Sequence, residues 1–463
     1  MAFRFERLIA PNLPGRRVLL LLLVGFAFAC SPGPATPPSV LLITIDTARV
    51  DHLSLYGYAR DTTPVLRDFA QQGVRFDAAY APSATTAPTH ASLFTSLYPP
   101  THRVLKNGEP LADRHQTLAE ALGAAGWVSG AVVSSYVLDP KFNYGQGFEN
   151  WDADFSQAEV PGGRRWRRGG QRIEGKFYGR ADDTTRRAIA WLEEYAGGDS
   201  PFFLFVHYFD PHDPYRPPPE FAMRLPPLSS SAMDQTLARY DAELAFTDAE
   251  IGRLLAALDD RGLSRNTIVV IVGDHGEGLM THGHMNHGVQ IYEEAVRVPL
   301  LLWWPAGISG GQVVAEPTEI VDLAPTLIDL TGAAEVPGSF DGYNLAPRLR
   351  GEEQLPGDRP VWLYRRPYEG SMVSRIWAKG EQFGVREGRW KYIVGPAESV
   401  EELFDLHEDP GEETNVRDQH PGVVRRLSGK LDAWRRDHTR ESSSEIVVSP
   451  EDRRRLEALG YAD

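Results

Sequence analysis

The sequence predicts an α/β fold: a parallel sheet covered by helices on both faces, followed by a small antiparallel subdomain. Three observations predict it. From Val40 onward, short continuous apolar runs alternate with amphipathic helical stretches, the pattern of strands buried on both faces and joined by crossover helices. Several of those runs end in Asp or His. From about residue 355 the alternation gives way to short β-like runs separated by tight turns.

The chain is long enough for one large domain and a smaller one: 463 residues, 42% hydrophobic and 24% charged. Its net charge of -15 argues against nucleic acid as the main partner, but not against an anionic substrate held by a local metal. The first 29 residues read as an export signal. A basic region ends at Arg16-Arg17, and the apolar stretch VLLLLLVGFAFA that follows is too short for a comfortable membrane span. Cys30, the single cysteine, closes it. This resembles a bacterial lipoprotein signal and implies a lipidated Cys30, a membrane anchor and a place in the cell envelope. The alternative is an ordinary cleaved signal with an incidental cysteine. Residues 30–39, rich in proline, read as a tether.

The catalytic unit is expected over 40–350. VLLITID (40–46) is an apolar strand ending in Asp46. TTPVLRDFAQQG is a helix stopped by Gly73. QTLAEALGAAG is another helix, and WVSGAVVSS is strand-like. PFFLFVHYFDPHDPY is a buried strand running into a polar loop, with His207, Asp210 and His212 at its exit. SAMDQ through LDDRG is a long helix, and NTIVVIVGDHGEG is a strand ending in Asp274-His275. Residues 351–463 should hold antiparallel strands, a helix through VVRRLSGKLDAWRRD, and a charged tail that packs back as a short helix.

In open α/β sheets ligands sit beyond the C-terminal strand ends, where Asp46, Asp274 and His275 fall. Two carboxylates and an imidazole are a reasonable divalent metal site. SATTAPTHAS (83–92) supplies a second element. Pro88 suits the first turn of a helix, which places Thr86 just before it, near free N–H groups where a phosphate or sulfate binds. Thr86 reads either as a helix cap or as a hydroxyl nucleophile activated by a metal. Asn107, before Gly108, serves a turn or hydrogen-bonds a phosphoryl oxygen. One of His282, His284 and His287 could protonate a leaving oxygen. Arg49 and Lys391 read as structural. The basic run 162–172 reads as a solvated loop or as a contact for an anionic glycan or lipid headgroup.

ITIDTARVDHLSLYGY, TTAPTHASLFTSLYP, FFLFVHYFDPHDPY and VGDHGEGLMTHGHMNHGVQIYEEAVRVPLLLWWP together resemble the sulfatase branch of the alkaline phosphatase superfamily. The resemblance runs from about Val40 to the C-terminus. It implies a three-layer α/β/α alkaline-phosphatase-like domain with a C-terminal antiparallel β-sheet plus helix. It implies that Asp46, Asp274 and His275 hold a metal and that His212 faces substrate. It also sets His282 in register with the histidine after DHGE and His287 near the substrate lysine.

The departures from the pattern are informative. Sulfatases oxidise a Cys or Ser to formylglycine; Thr86 stands there instead, and His90 replaces the arginine among the substrate-binding candidates. Thr47 stands where a second metal-binding aspartate is expected. Fewer oxygen ligands suit zinc or manganese better than calcium, which wants about 6–8 oxygens. A formylglycine hydrate expels sulfate by collapsing to an aldehyde, an exit that a threonine ester lacks. The expectation is therefore a single-metal hydrolase or transferase of phosphate esters with Thr86 as covalent nucleophile. A sulfatase working without formylglycine, and a non-catalytic glycan- or lipid-binding protein, are the competing readings. The substrate would be a small-molecule, glycan or lipid-headgroup ester.

Overall fold

Alternating residues of the first strand pack on opposite sides of a nine-stranded sheet, and this alternation divides the core. The computed structural model describes residues 36–155, 166–168, 171–173, 178–334, 340–373, 376–438 and 449–458. The export segment, Cys30, and parts of the basic run and the tail lie outside them. Among the described residues no helix is long and apolar enough to cross a membrane.

The sheet contains β1 (Ser39–Ile45), β2 (Val74–Tyr80), β3 (Val128–Val133), β4 (Asn150–Asp152), β5 (Phe202–Tyr208), β6 (Thr267–Gly273), β7 (Arg297–Trp303), β8 (Gln312–Val314) and β9 (Thr318–Glu319). Their order is β8-β2-β7-β6-β1-β5-β3-β4, with β9 beside β2. The longer helices are α1 (Pro64–Gln72), α2 (Thr86–Thr95), α3 (Leu118–Ala124), α4 (Ala181–Tyr195), α5 (Ala232–Asp260) and α6 (Leu323–Thr331). Val40, Leu42, Phe203, Phe205 and Val270 face α2, α3 and α6. Leu41, Ile43, Val206, Val269 and Ile271 face α1, α4 and α5. Period-two alternation thus gives the three layers that the resemblance implied. Each fully buried Leu, Ile or Phe contributes about 1.5–3 kcal/mol.

The sheet is mixed, not parallel throughout. β7 runs antiparallel to both β6 and β2. After β6 the chain stays at the C-terminal end of the sheet through residues 274–296, where the last helix is only Glu293–Val296. No crossover returns it to the other end, so it re-enters the sheet in the opposite direction.

The C-terminal part forms a four-stranded antiparallel sheet, β10 (Val361–Val373), β11 (Ile376–Glu387), β12 (Trp390–Gly395) and β13 (Val400–Asp405). Helix α7 (Pro421–His438) packs on it through Leu427, Leu431 and Trp434. Helix α8 (Pro450–Ala458) returns to the catalytic layer, where Leu456 joins the α2-side core. Lys391 fastens the two parts. It is fully buried, with Nζ 3.0 Å from Glu293 Oε1 and 2.9 Å from Glu412 Oε1. Removing a buried cation from such a pair strands the carboxylates. Lys391→Met is expected to cost about 3–5 kcal/mol, read as a lower urea midpoint by far-UV circular dichroism, with the m-value unchanged.

Candidate active site

Strand register brings the two carboxylates together. Ile45 pairs with Gly273 on one side and Tyr208 on the other, so Asp46 and Asp274 leave adjacent strands side by side. Both are buried. Neither oxygen of Asp46, nor Oδ2 of Asp274, has a hydrogen-bond partner among the described residues. Oδ1 of Asp274 accepts from the Thr47 and His275 amides at 3.2 and 2.7 Å. Thr47 reaches that position in the left-handed region, at φ 52°. This is strained for a β-branched residue, by about 1–3 kcal/mol. Its carbonyl is held by the Tyr240 hydroxyl at 2.7 Å.

His275 completes the group. Its Nδ1 lies 2.8 Å from the Gly276 carbonyl, which can only accept, so Nδ1 carries the proton and Nε2 keeps its lone pair. Nε2 is 3.6 Å from Asp46 Oδ1, 3.6 Å from Asp274 Oδ2 and 3.2 Å from the Thr86 hydroxyl. Gly276 is needed beside it: a Cβ there would lie 1.9 Å from the Glu294 carbonyl. Burial pulls His275 down to about 4, against the opposing charge of Asp46. Burial also drives Asp274 up, aided by Asp46. For Asp46 burial acts upward, but the nearby histidines, His207 foremost, outweigh it and hold the group below the ordinary range. Two buried carboxylates with three unpartnered oxygens and a neutral imidazole fit a divalent metal, since uncompensated buried charge is costly.

Thr86 is the first residue of α2, with Thr85 as cap, one position further into the helix than the sequence predicts. It is fully buried. The side-chain oxygen of Asn107 accepts the Ala87 amide at 2.9 Å, so Asn107 pins the helix start, and its buried Nδ2 has no partner. A second histidine pair flanks the group. His287 Nδ1 lies 3.2 Å from the Ala84 carbonyl, and His212 Nδ1 lies 2.6 Å from that of Asp213. Both must donate there, yet their Nε2 atoms face each other at 3.1 Å. One further proton between them satisfies the contact. Burial lowers the affinity of His287 for it. The His287 ring lies 4.3 Å from that of His275.

Other sequence candidates lie elsewhere. The structure does not bring His282 to Thr86. Its nitrogens meet Glu294 Oε1 at 2.9 Å and the Glu412 carbonyl at 3.2 Å, and its ring stacks on Tyr292. Those contacts occupy both of its nitrogens between Glu294 and the C-terminal subdomain. His90 is buried beneath the site, not facing substrate: Nδ1 donates to the Thr86 carbonyl at 2.8 Å and Nε2 accepts from the Thr44 hydroxyl at 3.1 Å. Asp210 accepts the Ala181 amide at 2.7 Å at the start of α4. Arg49 pairs with Asp51 and holds the Glu277 and Gly278 carbonyls. Sequence reasoning missed what positions His287: the Tyr368 hydroxyl donates to the Gly288 carbonyl and buried Arg365 to that of Val289. Nothing local marks these contacts, because the partners are 76 and 80 residues apart.

The sulfatase family description matches residues 38–333, and that of the C-terminal part of N-sulphoglucosamine sulphohydrolase matches 281–437. The chain is 34% identical over 200 residues to arylsulfatase K of Canis lupus familiaris. That alignment covers 42% of this chain and 36% of the relative, about a third of its length. The fold is similar to a protein solved with its substrate D-glucosamine-2-N,6-O-disulfate, with a TM-score of 0.73, 22% identity, and 87% of this chain and 98% of that one covered. It is equally similar to phosphonate monoester hydrolase of Agrobacterium radiobacter, with a TM-score of 0.72, 24% identity, and 87% and 96% covered. At these identities the two structures speak for the fold alone.

Chelation tests the metal fit. Divalent ion at 100-fold over its dissociation constant should stabilise the wild type by about 2.7 kcal/mol. Asp46→Asn is expected to remove most of that increment, read as the melting-temperature difference between metal-loaded and chelator-treated protein.

Proposed function

The chain belongs to the sulfatase family, and from that premise we propose a metal-assisted ester hydrolase or transferase in which Thr86 takes a phosphoryl group covalently. The observation that carries this reading is the placement of Thr86: a buried hydroxyl at a helix start, 3.2 Å from His275 Nε2 and beside Asp46 and Asp274, at the formylglycine position. A threonine cannot give the aldehyde on which the family's sulfate release depends. Phosphoryl groups are handled by two successive displacements at a hydroxyl.

Asp46, Asp274 and His275 would hold one divalent ion. Such an ion would lower the pKa of the Thr86 hydroxyl and offset charge on the transferred group. The Thr86 oxygen attacks phosphorus and its proton leaves to solvent, while the bond from phosphorus to the leaving oxygen breaks. That oxygen takes the proton held between His212 and His287. Asn107 Nδ2 donates to an equatorial phosphoryl oxygen. Water, or an acceptor alcohol, then displaces Thr86, whose oxygen takes a proton back from solvent, while the proton of the incoming nucleophile returns to the histidine pair. Water gives hydrolysis and an alcohol gives transfer. In this reading the protein acts outside the cytoplasm, tethered through Cys30, on a small-molecule, glycan or lipid-headgroup ester.

Sulfate-ester hydrolysis without formylglycine is the second reading, favoured by the sequence match to arylsulfatase K. The two separate on p-nitrophenyl phosphate, a bis-aryl phosphodiester and p-nitrophenyl sulfate. Phosphoryl turnover is expected, and Thr86→Ala should lower it by on the order of 10³-fold or more. Intact-mass spectrometry of acid-quenched enzyme should show one phosphoryl group on Thr86. Sulfate turnover that survives Thr86→Ala would overturn the proposal.

A further inference from the structure

Beneath the two carboxylates lies a layer that the reaction has not used. His207 of β5 pairs in register with Thr44 of β1, and Thr44 with Val272 of β6. These residues share the face that carries α2, together with Phe205 and Leu42. Asp46 and Asp274 follow two positions after Thr44 and Val272 on that face, so His207 lies directly below them. Its side chain is fully buried, and neither ring nitrogen has a hydrogen-bond partner among the described residues. A buried imidazole with both nitrogens unsatisfied is costly.

The orientation of Asp46 supplies the reason. Its Oδ1 turns toward His275 Nε2 at 3.6 Å, and its Oδ2 turns toward His207 Nε2, also at 3.6 Å. His275 Nε2 lies the same 3.6 Å from Asp274 Oδ2. Ligand atoms at about 2.0–2.1 Å from a tetrahedral ion are about 3.4 Å apart, close to these separations. His90, the neighbouring imidazole at 5.2 Å between ring centroids, is different: both of its nitrogens are satisfied by Thr86 and Thr44.

We propose that His207 is a fourth protein ligand, so that two carboxylates and two imidazoles hold the ion and select zinc over calcium. The proposal rests on the metal reading of this same site. Imidazole suits zinc and other late first-row ions, whereas calcium wants more oxygen atoms than this set provides. Thr47 offers one buried, neutral hydroxyl in place of a carboxylate, which leaves calcium fewer charged oxygens, and His207 adds the nitrogen that zinc prefers.

The test uses the full chain, stripped by chelator and offered equal zinc and calcium, then desalted and measured by plasma mass spectrometry. Wild type is expected to keep about one zinc per chain and little calcium. His207→Phe, which retains the ring volume, should weaken zinc retention by at least tenfold while circular dichroism stays native. Zinc held equally by His207→Phe, or calcium kept in preference by wild type, would overturn the proposal. Should wild type hold neither ion and match Asp46→Asn, the metal reading itself fails and His207 falls with it. Pulsed electron paramagnetic resonance of copper-loaded wild type needs no variant. Two coordinated imidazoles support the assignment, and one overturns it.

Discussion

Two carboxylates buried side by side constrain this end of the molecule more than any other contact. Like charges in a low-dielectric interior repel strongly, and each loses its water. Asp46 and Asp274 cannot move apart, because adjacent parallel strands with a fixed register deliver them. The surroundings answer that constraint. Thr47 accepts a strained backbone so that its amide can point at Asp274. His275 is locked in the tautomer that turns a lone pair toward both acids. Amides satisfy one oxygen of Asp274 and leave the other facing inward.

Position 86 is where this chain parts from the pattern of its family, and the departures form a set. Threonine at position 86 removes the aldehyde route. His90 in place of the arginine removes a fixed cation below it, and burial pulls that imidazole down to about 3, so it stays neutral. Thr47 removes an acid. Fewer acids and fewer fixed cations lower the charge density together, so the balance of the site is kept while its donor chemistry shifts from oxygen toward nitrogen.

Much of the fold was legible because hydrophobic period is a local signal. The apolar run before Asp46 and the one before Asp274 could each be read as a strand with a carboxylate at its end, and the layers follow from alternation along β1. The reversal of β7 was not legible, since it depends on the absence of a crossover rather than on any property of RVPLLLW. The site was legible where a residue type and a strand end coincide. It was not legible where identical residues compete: THGHMNHG offers three histidines, and only the packing against Ala84 and His212 distinguishes His287 from His282. His207 looked like a strand exit because its significance lies in the distance to Asp46, not in its sequence neighbours.

The hold of the C-terminal sheet on the loop around His287 has a temporal consequence. Arg365 and Tyr368, which fix the Val289 and Gly288 carbonyls, emerge from the ribosome long after His287 itself. Leu456 arrives later still, and it packs where a Cβ on Gly108 would lie 2.3 Å from it, next to the asparagine that pins the start of α2. A nascent or prematurely terminated chain therefore contains every candidate reactive side chain without the supports that align them. Alignment of the site therefore depends on segments translated well after its own residues.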